Sequence, residues 1–177
     1  MNNKKIFILR GSPSSGKGTI TKEFMKKIPG KVVYLEEDKF RWGFHLINRT
    51  VPDVSDDEHF LAYKNYLSVL ENYLENGTYT IVTEGLFSWS TEGPHGCMQD
   101  ILKLSEQYSF EAYPILLYGD YEILWERNNK REYSVPEEEF KMLYSYVADE
   151  QSPTEIKIDV GVNNIESSVT ILTNYLQ

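Results

Sequence analysis

Short apolar runs alternate with longer stretches of helical periodicity along this chain of 177 residues. Strands are predicted for the apolar runs at residues 4–9, 32–35, 79–85, 111–118 and 155–160. Apolar side chains recur every three or four residues between these runs, which predicts amphipathic helices. Strands that alternate with helices favour a parallel sheet covered on both faces. Since no linker-like stretch divides the chain, we predict one α/β domain over residues 1–177, with three α/β/α layers and a five-stranded parallel sheet.

Local signals mark the boundaries of several elements. Ser55 and Glu58 have the spacing of a capping box before a long amphipathic helix. Asn163, followed by Glu166, is predicted to cap the final helix. Pro114 falls within the fourth strand, where a proline predicts an irregularity or an edge position.

The first strand is followed by the pattern G-x-x-x-x-G-K, which Gly11, Gly16 and Lys17 form at the start of a predicted helix. Glycines let backbone N–H groups approach phosphate oxygens closely, and the helix N-terminus adds a positive dipole end. The lysine supplies a positive charge for the β- and γ-phosphates. We therefore predict a nucleotide-binding loop that consists of Gly11, Ser12, Pro13, Ser14, Ser15, Gly16, Lys17, Gly18 and Thr19.

Gly18 follows the lysine where the commonest form of this loop has a Ser or Thr that binds Mg²⁺. Thr19 carries the first hydroxyl after Lys17 and is therefore a candidate metal ligand. The segment GSPSSGKGT resembles the loop of adenylate kinase and related small kinases, which also contain Gly-Lys-Gly-Thr. That resemblance implies phosphoryl transfer between small molecules, with ATP and Mg²⁺ as cofactors.

Charged residues follow the second strand, where Glu36, Glu37 and Asp38 are followed by Arg41. Ligands of open α/β sheets bind beyond the carboxyl ends of the strands. A carboxylate at that edge can align an alcohol and accept its proton, and a cation can hold the acceptor. Asp38 and Arg41 are therefore candidate catalytic residues, with a helix cap in a solvated loop as the alternative role of Asp38.

Arg127, Lys130 and Arg131 form a basic cluster at the end of a predicted helix. Cations are favourable at a helix C-terminus, which is one interpretation of this cluster. The other is a lid over residues 127–136, whose arginines close over the triphosphate and stabilise the transferring charge.

In this order along the chain, the three segments resemble the 5′-kinase domain of phage-type polynucleotide kinase and its small P-loop kinase relatives, which include chloramphenicol phosphotransferase. After the phosphate loop the shared pattern is Asp-x-aromatic-Arg, formed here by Asp38, Phe40 and Arg41 with Lys39 at the variable position, followed later by Arg127, Asn128, Arg131, Val135, Pro136, Met142 and Tyr144. The resemblance implies a P-loop kinase fold. It also implies that Asp38 is the general base and that Arg41 contacts the acceptor. Arg127 or Arg131 would then be the lid arginine on the nucleotide phosphates.

Glu84 departs from the pattern of that kinase domain, which has an Asp at the end of the third strand. A Glu at this place can bind Mg²⁺ through water or orient the acceptor, so Glu84 is the second candidate metal residue. A strand-end carboxylate without a role in the site is the alternative.

The net charge of −9 repels polyanions, so nucleic acid and anionic membranes are disfavoured as partners. The N-terminal apolar run is too short for a signal peptide or a membrane span, and a single cysteine, Cys97, forms no internal disulfide. We therefore expect a soluble cytoplasmic protein whose partners are ATP and a hydroxyl-bearing small molecule.

The leading hypothesis is an ATP- and Mg²⁺-dependent kinase that phosphorylates a hydroxyl of a small-molecule or nucleotide-like acceptor. A polynucleotide 5′-hydroxyl kinase, a nucleoside monophosphate kinase and a non-catalytic nucleotide-binding protein are the alternatives. Acceptor specificity is expected in residues 40–60 and 85–97, whose aromatic and histidine side chains include Trp42, Phe44, His45, Phe87, Trp89 and His95. We expect Phe87, Trp89 and His95 to hold their loop against the rest of the protein by packing.

Overall fold

The computed structural model describes residues 4–41, 55–90, 93 and 95–177. Within these residues one sheet contains the strands β1 (Lys5–Gly11), β2 (Val32–Glu36), β3 (Thr80–Gly85), β4 (Glu111–Tyr118) and β5 (Ile156–Asp159). All are parallel and lie in the spatial order β2-β3-β1-β4-β5. The predicted five-stranded parallel sheet is confirmed.

Helices connect the strands and cover the sheet. The described ranges contain α1 (Lys17–Met25), α2 (Asp38–Arg41), α3 (Asp56–Asn76), α4 (Met98–Gln107), α5 (Tyr121–Asn129), α6 (Glu137–Ala148) and α7 (Ile165–Thr173). A 3₁₀ turn, Asn174–Leu176, follows α7.

Alternate residues of β1 support two helical layers. Phe7 and Leu9 pack in a cluster with residues of α1 and α7, whereas Ile6 and Ile8 pack in a cluster with residues of α3 and α4. All four side chains are fully buried, as expected for a central parallel strand with helices on both faces. The predicted three-layer arrangement follows from this alternation.

The helix caps agree with the sequence in one case and differ in another. The capping box of α3 is confirmed, because Ser55 and Glu58 each accept a hydrogen bond from the backbone N–H of the other. The prediction that Asn163 caps α7 is wrong by one residue. Asn164 accepts from the N–H of Ser167 at 2.9 Å, while Asn163 donates to the carbonyl of the last residue of β5.

Pro114 does not mark an edge strand, because β4 lies between β1 and β5. The strand runs without interruption through Pro114, which pairs in register with Ile8 of β1. The ladder with β5 begins one residue later, at Ile115. Pro114 therefore lies where β4 has only β1 beside it, so its missing N–H leaves the ladder with β5 intact.

Arg10, the residue before the phosphate loop, is fully buried. Its Nε lies 2.5 Å from Glu155 Oε1 and its Nη2 lies 3.1 Å from Glu155 Oε2. The same guanidinium donates to the backbone carbonyls of Phe87, Val147 and Glu150. Arg10 thus joins the end of β1 to the loop after β3 and to the connection between α6 and β5.

Candidate active site

The loop between β1 and α1 has the backbone geometry of an anion-binding nest. Ser14 and Gly16 have positive φ angles of 64° and 83°, a conformation that turns successive N–H groups toward one concave side. α1 then begins at Lys17 without a side-chain cap and without an acidic residue in its first turn. Its first N–H groups and its positive dipole end are therefore available to a phosphate.

Two hydroxyls of this loop lack a hydrogen-bond partner within the described residues. The Oγ atoms of Ser14 and Ser15 are both buried and unpaired. Buried hydroxyls are normally satisfied, so unpaired ones in such a nest fit a ligand with acceptor oxygens, such as a nucleotide phosphate. Gly11 keeps the loop tight, because a Cβ at this residue would lie 2.5 Å from the carbonyl oxygen of Leu117.

Lys17 bends back over the loop. Its Nζ donates to the carbonyl oxygens of Gly11 at 2.6 Å and Ser12 at 3.1 Å. Burial lowers the pKa of Lys17, the nearby charges of Asp38 and Glu84 oppose that effect, and the charge of Arg131 adds to it. The charges of Glu36, Asp38, Glu84 and Arg131, which are distant from Lys17 in the sequence, therefore act on Lys17 in the fold.

Glu84 lies at the end of β3 and is only 4% exposed. Tyr34 donates to its Oε1 at 2.6 Å, and Thr21 donates to its Oε2 at 2.7 Å. A Cβ at Gly18 would lie 3.4 Å from Glu84 Oε1, so this carboxylate is directly beside the start of α1. Thr19 is exposed, and the α1 hydroxyl that binds Glu84 belongs to Thr21.

Asp38 stands beside a buried ion pair. The N–H of Glu37 donates to the carbonyl of Glu84 at 2.9 Å, which extends the pairing of β2 and β3 past the end of β2. The guanidinium of Arg41 donates to both carboxylate oxygens of Glu37 and lies 3.4 Å from Asp38. The carboxylate of Asp38 remains 46% exposed and is therefore reachable by an acceptor. Burial raises the pKa of Glu37 to about 7, and the charge of Arg41 limits that rise.

His95 extends this ion pair into the loop after β3. Its Nδ1 lies 2.7 Å from Nη1 of Arg41, and a guanidinium can only donate, so we infer that the ring proton is on Nε2. Burial lowers the pKa of His95 to about 3, and the charges of Arg41 and His59 act in the same direction. The ring also meets Tyr146 edge to face, with centroids 5.3 Å apart.

The aromatic candidates of the same loop have other surroundings. Phe87 is fully buried in the cluster with α3 and α4, against which Trp89 packs, as expected for residues that hold the loop down. His95 differs from them because it contacts a candidate catalytic residue. Trp42, Phe44 and His45 lie outside the described residues.

The two arginines of the basic segment at the end of α5 have different surroundings. Arg127 donates to the carbonyl of Val160 at 2.8 Å, beyond the end of β5, whereas the charge of Arg131 acts on Lys17. Asn128 is fully buried and closes the following loop, because its amide donates to the carbonyl of Val135 and accepts from the N–H of Val135. In the sequence Asn128 is only one residue of the pattern shared with the kinase relatives. The structure shows that its side chain closes the loop that ends at Val135.

Four site residues were not predicted from the sequence as such: Thr21, Tyr34, Glu37 and Asn128. Each acts through a contact between elements that are distant in the chain or through burial that local polarity does not indicate. Among the described residues no group of three His, Cys, Asp or Glu side chains has the arrangement of a metal cage. P-loop sites do not need one, because Mg²⁺ is held there by substrate phosphates, water and one or two carboxylates.

No family model matches the chain. It is 28% identical over 141 residues to L-seryl-tRNA(Sec) kinase of Methanococcus maripaludis, a match that covers 78% of this chain and 51% of that protein. The chain thus spans about half the length of this curated relative.

Solved structures decide the fold. A putative kinase from Chloroflexus aurantiacus superposes with a TM-score of 0.73 at 16% identity, over 100% of this chain and 98% of that one. A sugar kinase from Janibacter sp. HTCC2649 superposes with a TM-score of 0.65 at 18% identity, over 98% and 94%. The chain has a P-loop kinase fold. Within the described parts of this P-loop kinase fold, no helix is both long and apolar enough to span a membrane.

Proposed function

We propose that this protein transfers the γ-phosphate of ATP to a hydroxyl group of a small-molecule acceptor, with Mg²⁺ as cofactor. The observation that supports the proposal is the placement of Lys17 and Asp38 at one edge of the sheet. Lys17 folds over the phosphate nest, and the half-exposed Asp38 directly follows Glu37, whose N–H donates to the carbonyl of Glu84 at the end of β3. A phosphate site alone would account for Lys17. The exposed carboxylate of Asp38 on the acceptor side is the part that a simple nucleotide-binding protein does not require.

The phosphate loop would bind the β- and γ-phosphates of the nucleotide. Its N–H groups, the hydroxyls of Ser14 and Ser15 and the Nζ of Lys17 are the donors, and Gly11 to Thr19 form the cradle. Lys17 now donates to two loop carbonyls and would exchange one of these contacts for a phosphate oxygen. When bound, Mg²⁺ would neutralise charge on the phosphates. Thr19 and Glu84 are the two candidate protein residues for it.

Asp38 would align the acceptor hydroxyl and take its proton. The alcohol oxygen then forms a bond to the γ-phosphorus while the bond between that phosphorus and the β–γ bridging oxygen breaks, which releases ADP. Arg41 holds Asp38 from one side at 3.4 Å and is itself fixed by Glu37. Most of its N–H groups are already used in these contacts, so Arg41 would orient the acceptor side mainly through Asp38 and His95.

Residues 127–136 would act as the lid. Arg131 is exposed and acts on Lys17 across the site, which suits a cation that approaches the transferring phosphate. Arg127 is bound to the carbonyl of Val160 and would reach the nucleotide only after it leaves that contact. We therefore assign the principal lid role to Arg131.

The acceptor would carry a hydroxyl and little negative charge, since the net charge of the protein is −9. Of the proteins named above, the sugar kinase is named for a small hydroxyl-bearing acceptor, whereas the L-seryl-tRNA(Sec) kinase is named for a seryl group carried by a tRNA. A small alcohol is therefore the leading acceptor class, and polynucleotide 5′ ends and nucleoside monophosphates are competing outcomes of the test.

The test is transfer of labelled phosphate from ATP with Mg²⁺ to parallel sets of sugars, serine, nucleosides, nucleoside monophosphates, oligonucleotides and aminoglycoside or phenicol antibiotics. Wild-type protein is compared with Lys17→Ala and with Asp149→Asn, an exposed residue at the end of α6 that serves as the control. A labelled product that requires Lys17 but not Asp149 supports the proposal. Wild type that yields no labelled product in any set refutes it.

A further inference from the structure

Gly18 leaves the second position of α1 without a side chain, yet this place is not open to solvent. Oε1 of Glu84 lies 3.4 Å from where the Cβ of residue 18 would stand. A serine at this position would direct its hydroxyl into the same region. The carboxylate therefore reaches, from β3, the place where the commonest form of the loop has its metal-binding hydroxyl.

Glu84 is held in that position by neutral groups. It is 4% exposed, and no Lys, Arg or His side chain of the described residues forms an ion pair with it. Its partners are the hydroxyls of Tyr34 and Thr21, one on each carboxylate oxygen. Each oxygen has two lone-pair sites, so both retain one for a further ligand. A buried carboxylate without a directly paired cation favours a bound metal ion.

Thr19, the rival candidate, lies on another side of the helix. Successive residues of an α-helix are rotated by about 100° from one another, whereas residues three apart lie on nearly the same side. Gly18 and Thr21 therefore share the side that meets Glu84, and Thr21 contacts it directly. Thr19 is exposed, and no hydrogen bond of its hydroxyl is found within the described part of the chain.

We propose that Glu84 is a direct protein ligand of the nucleotide-bound Mg²⁺ and that it replaces the hydroxyl missing at position 18. This inference rests on the proposed function, because it assumes that the loop binds a nucleotide with its metal. Mg²⁺ is commonly held by one or two carboxylates together with substrate phosphates, so a single Glu suffices. Thr21 and Tyr34 are positioning residues, which fix the carboxylate from α1 and from β2.

The proposal is tested with Mn²⁺ as a spectroscopic substitute for Mg²⁺. The amplitude of the free Mn²⁺ signal in electron paramagnetic resonance gives its Kd for the protein saturated with ADP. Glu84→Gln should raise this Kd about 100-fold, and Thr21→Ala or Tyr34→Phe should raise it about tenfold, as for groups that orient a metal ligand. Thr19→Ala should leave the Kd unchanged. ADP affinity in EDTA should be the same in all of these variants.

A compensating variant makes the assignment specific. Gly18→Ser restores the hydroxyl, so Glu84→Gln combined with Gly18→Ser should recover most of the lost Mn²⁺ affinity. Should Glu84→Gln fail to fold, Glu84→Asp withdraws the carboxylate by one methylene, and the same recovery by Gly18→Ser is expected.

Each contrary result overturns the assignment. It is wrong if Glu84→Gln binds Mn²⁺ as wild type does, if Thr19→Ala loses the affinity instead, or if wild type shows no ADP-dependent Mn²⁺ site. The proposed function fails separately, because a lack of transfer to every acceptor leaves the Mn²⁺ titration valid. Conversely, transfer by wild type does not protect the assignment if Glu84→Gln keeps its metal affinity.

Discussion

Glu37, the residue before α2, forms a two-point ion pair with Arg41, the last residue of α2, and the carboxylate of Glu37 is fully buried while the side chain of Arg41 is 9% exposed. Asp38, the candidate base, lies between them in the chain and contacts the same guanidinium. The pair therefore fixes the position of Asp38 relative to the end of β3, to which Glu37 is joined through its backbone.

Removal of either partner should be costly, because Glu37 would lose its buried cation and Arg41 would keep only the half-exposed carboxylate of Asp38 as an ion-pair partner. We expect Glu37→Gln or Arg41→Met to lower the free energy of unfolding by about 3 kcal/mol, measured by urea denaturation. The control is Lys130→Met, since Lys130 and Glu126 form an exposed pair with the same spacing of four residues. Its effect should be much smaller, because water and salt screen an exposed pair. Equal effects of buried and exposed pairs would contradict the assigned role of burial.

His95 should make stability depend on pH. Its pKa falls from an ordinary value of 6.5 to about 3 in the folded protein. Between these values the unfolded chain binds a proton that the folded chain does not, so this contribution to stability is complete above pH 6.5 and is lost as the pH falls toward 3. His95→Gln should therefore lose less stability than wild type between about pH 7 and pH 5, measured as the shift of the urea midpoint. A constant difference between the two proteins over this range would exclude the effect.

Asp38→Asn should reduce turnover while nucleotide binding persists. An amide cannot take the proton of the acceptor hydroxyl, so we expect kcat to fall at least about 100-fold, the usual contribution of a general base. The side chain is half exposed and nearly isosteric with that of asparagine, so the Kd for ADP and the melting temperature should stay close to wild type. Asp149→Asn is the matched control. Full kcat in the Asp38→Asn variant would remove this carboxylate from the mechanism.

Asn128 offers a test of the lid that is independent of its arginines. Its side chain makes two hydrogen bonds to the backbone of Val135, which close the loop that carries Arg131. Asn128→Ala should loosen that loop and lower kcat, and faster amide hydrogen exchange should be seen in residues 130–135. Its neighbour Asn129 is exposed, so Asn129→Ala provides the control with the same substitution. Equal exchange rates in the two variants would show that the loop does not depend on Asn128.

Local patterns predicted most of the fold and the phosphate loop. The glycine spacing that ends in Lys17 and the capping box at Ser55 each occupy a few consecutive residues, so neither depends on distant contacts. The strand order and the partner of each carboxylate depend on such contacts. That Glu84 lies beside Gly18 follows only once β3 pairs with β1.

The errors have a similar origin. Asn163 and Asn164 are equally good caps in the sequence, and the turn after β5 decides between them by engaging Asn163. Pro114 is typical of an edge strand, but the place where the β5 ladder begins cannot be read from local sequence. Arg10 breaks an apolar run and gives no local sign of burial, because its acidic partner stands 145 residues away.

Arg10 also has a consequence for how the protein opens. The buried guanidinium of Arg10 binds segments around residues 87, 147 and 150–155. Separation of any of these segments from Arg10 would break a buried hydrogen bond or ion pair. These segments therefore belong to one cooperative unfolding unit with the central strand. Fluctuations below the global unfolding free energy are therefore expected in segments outside this unit.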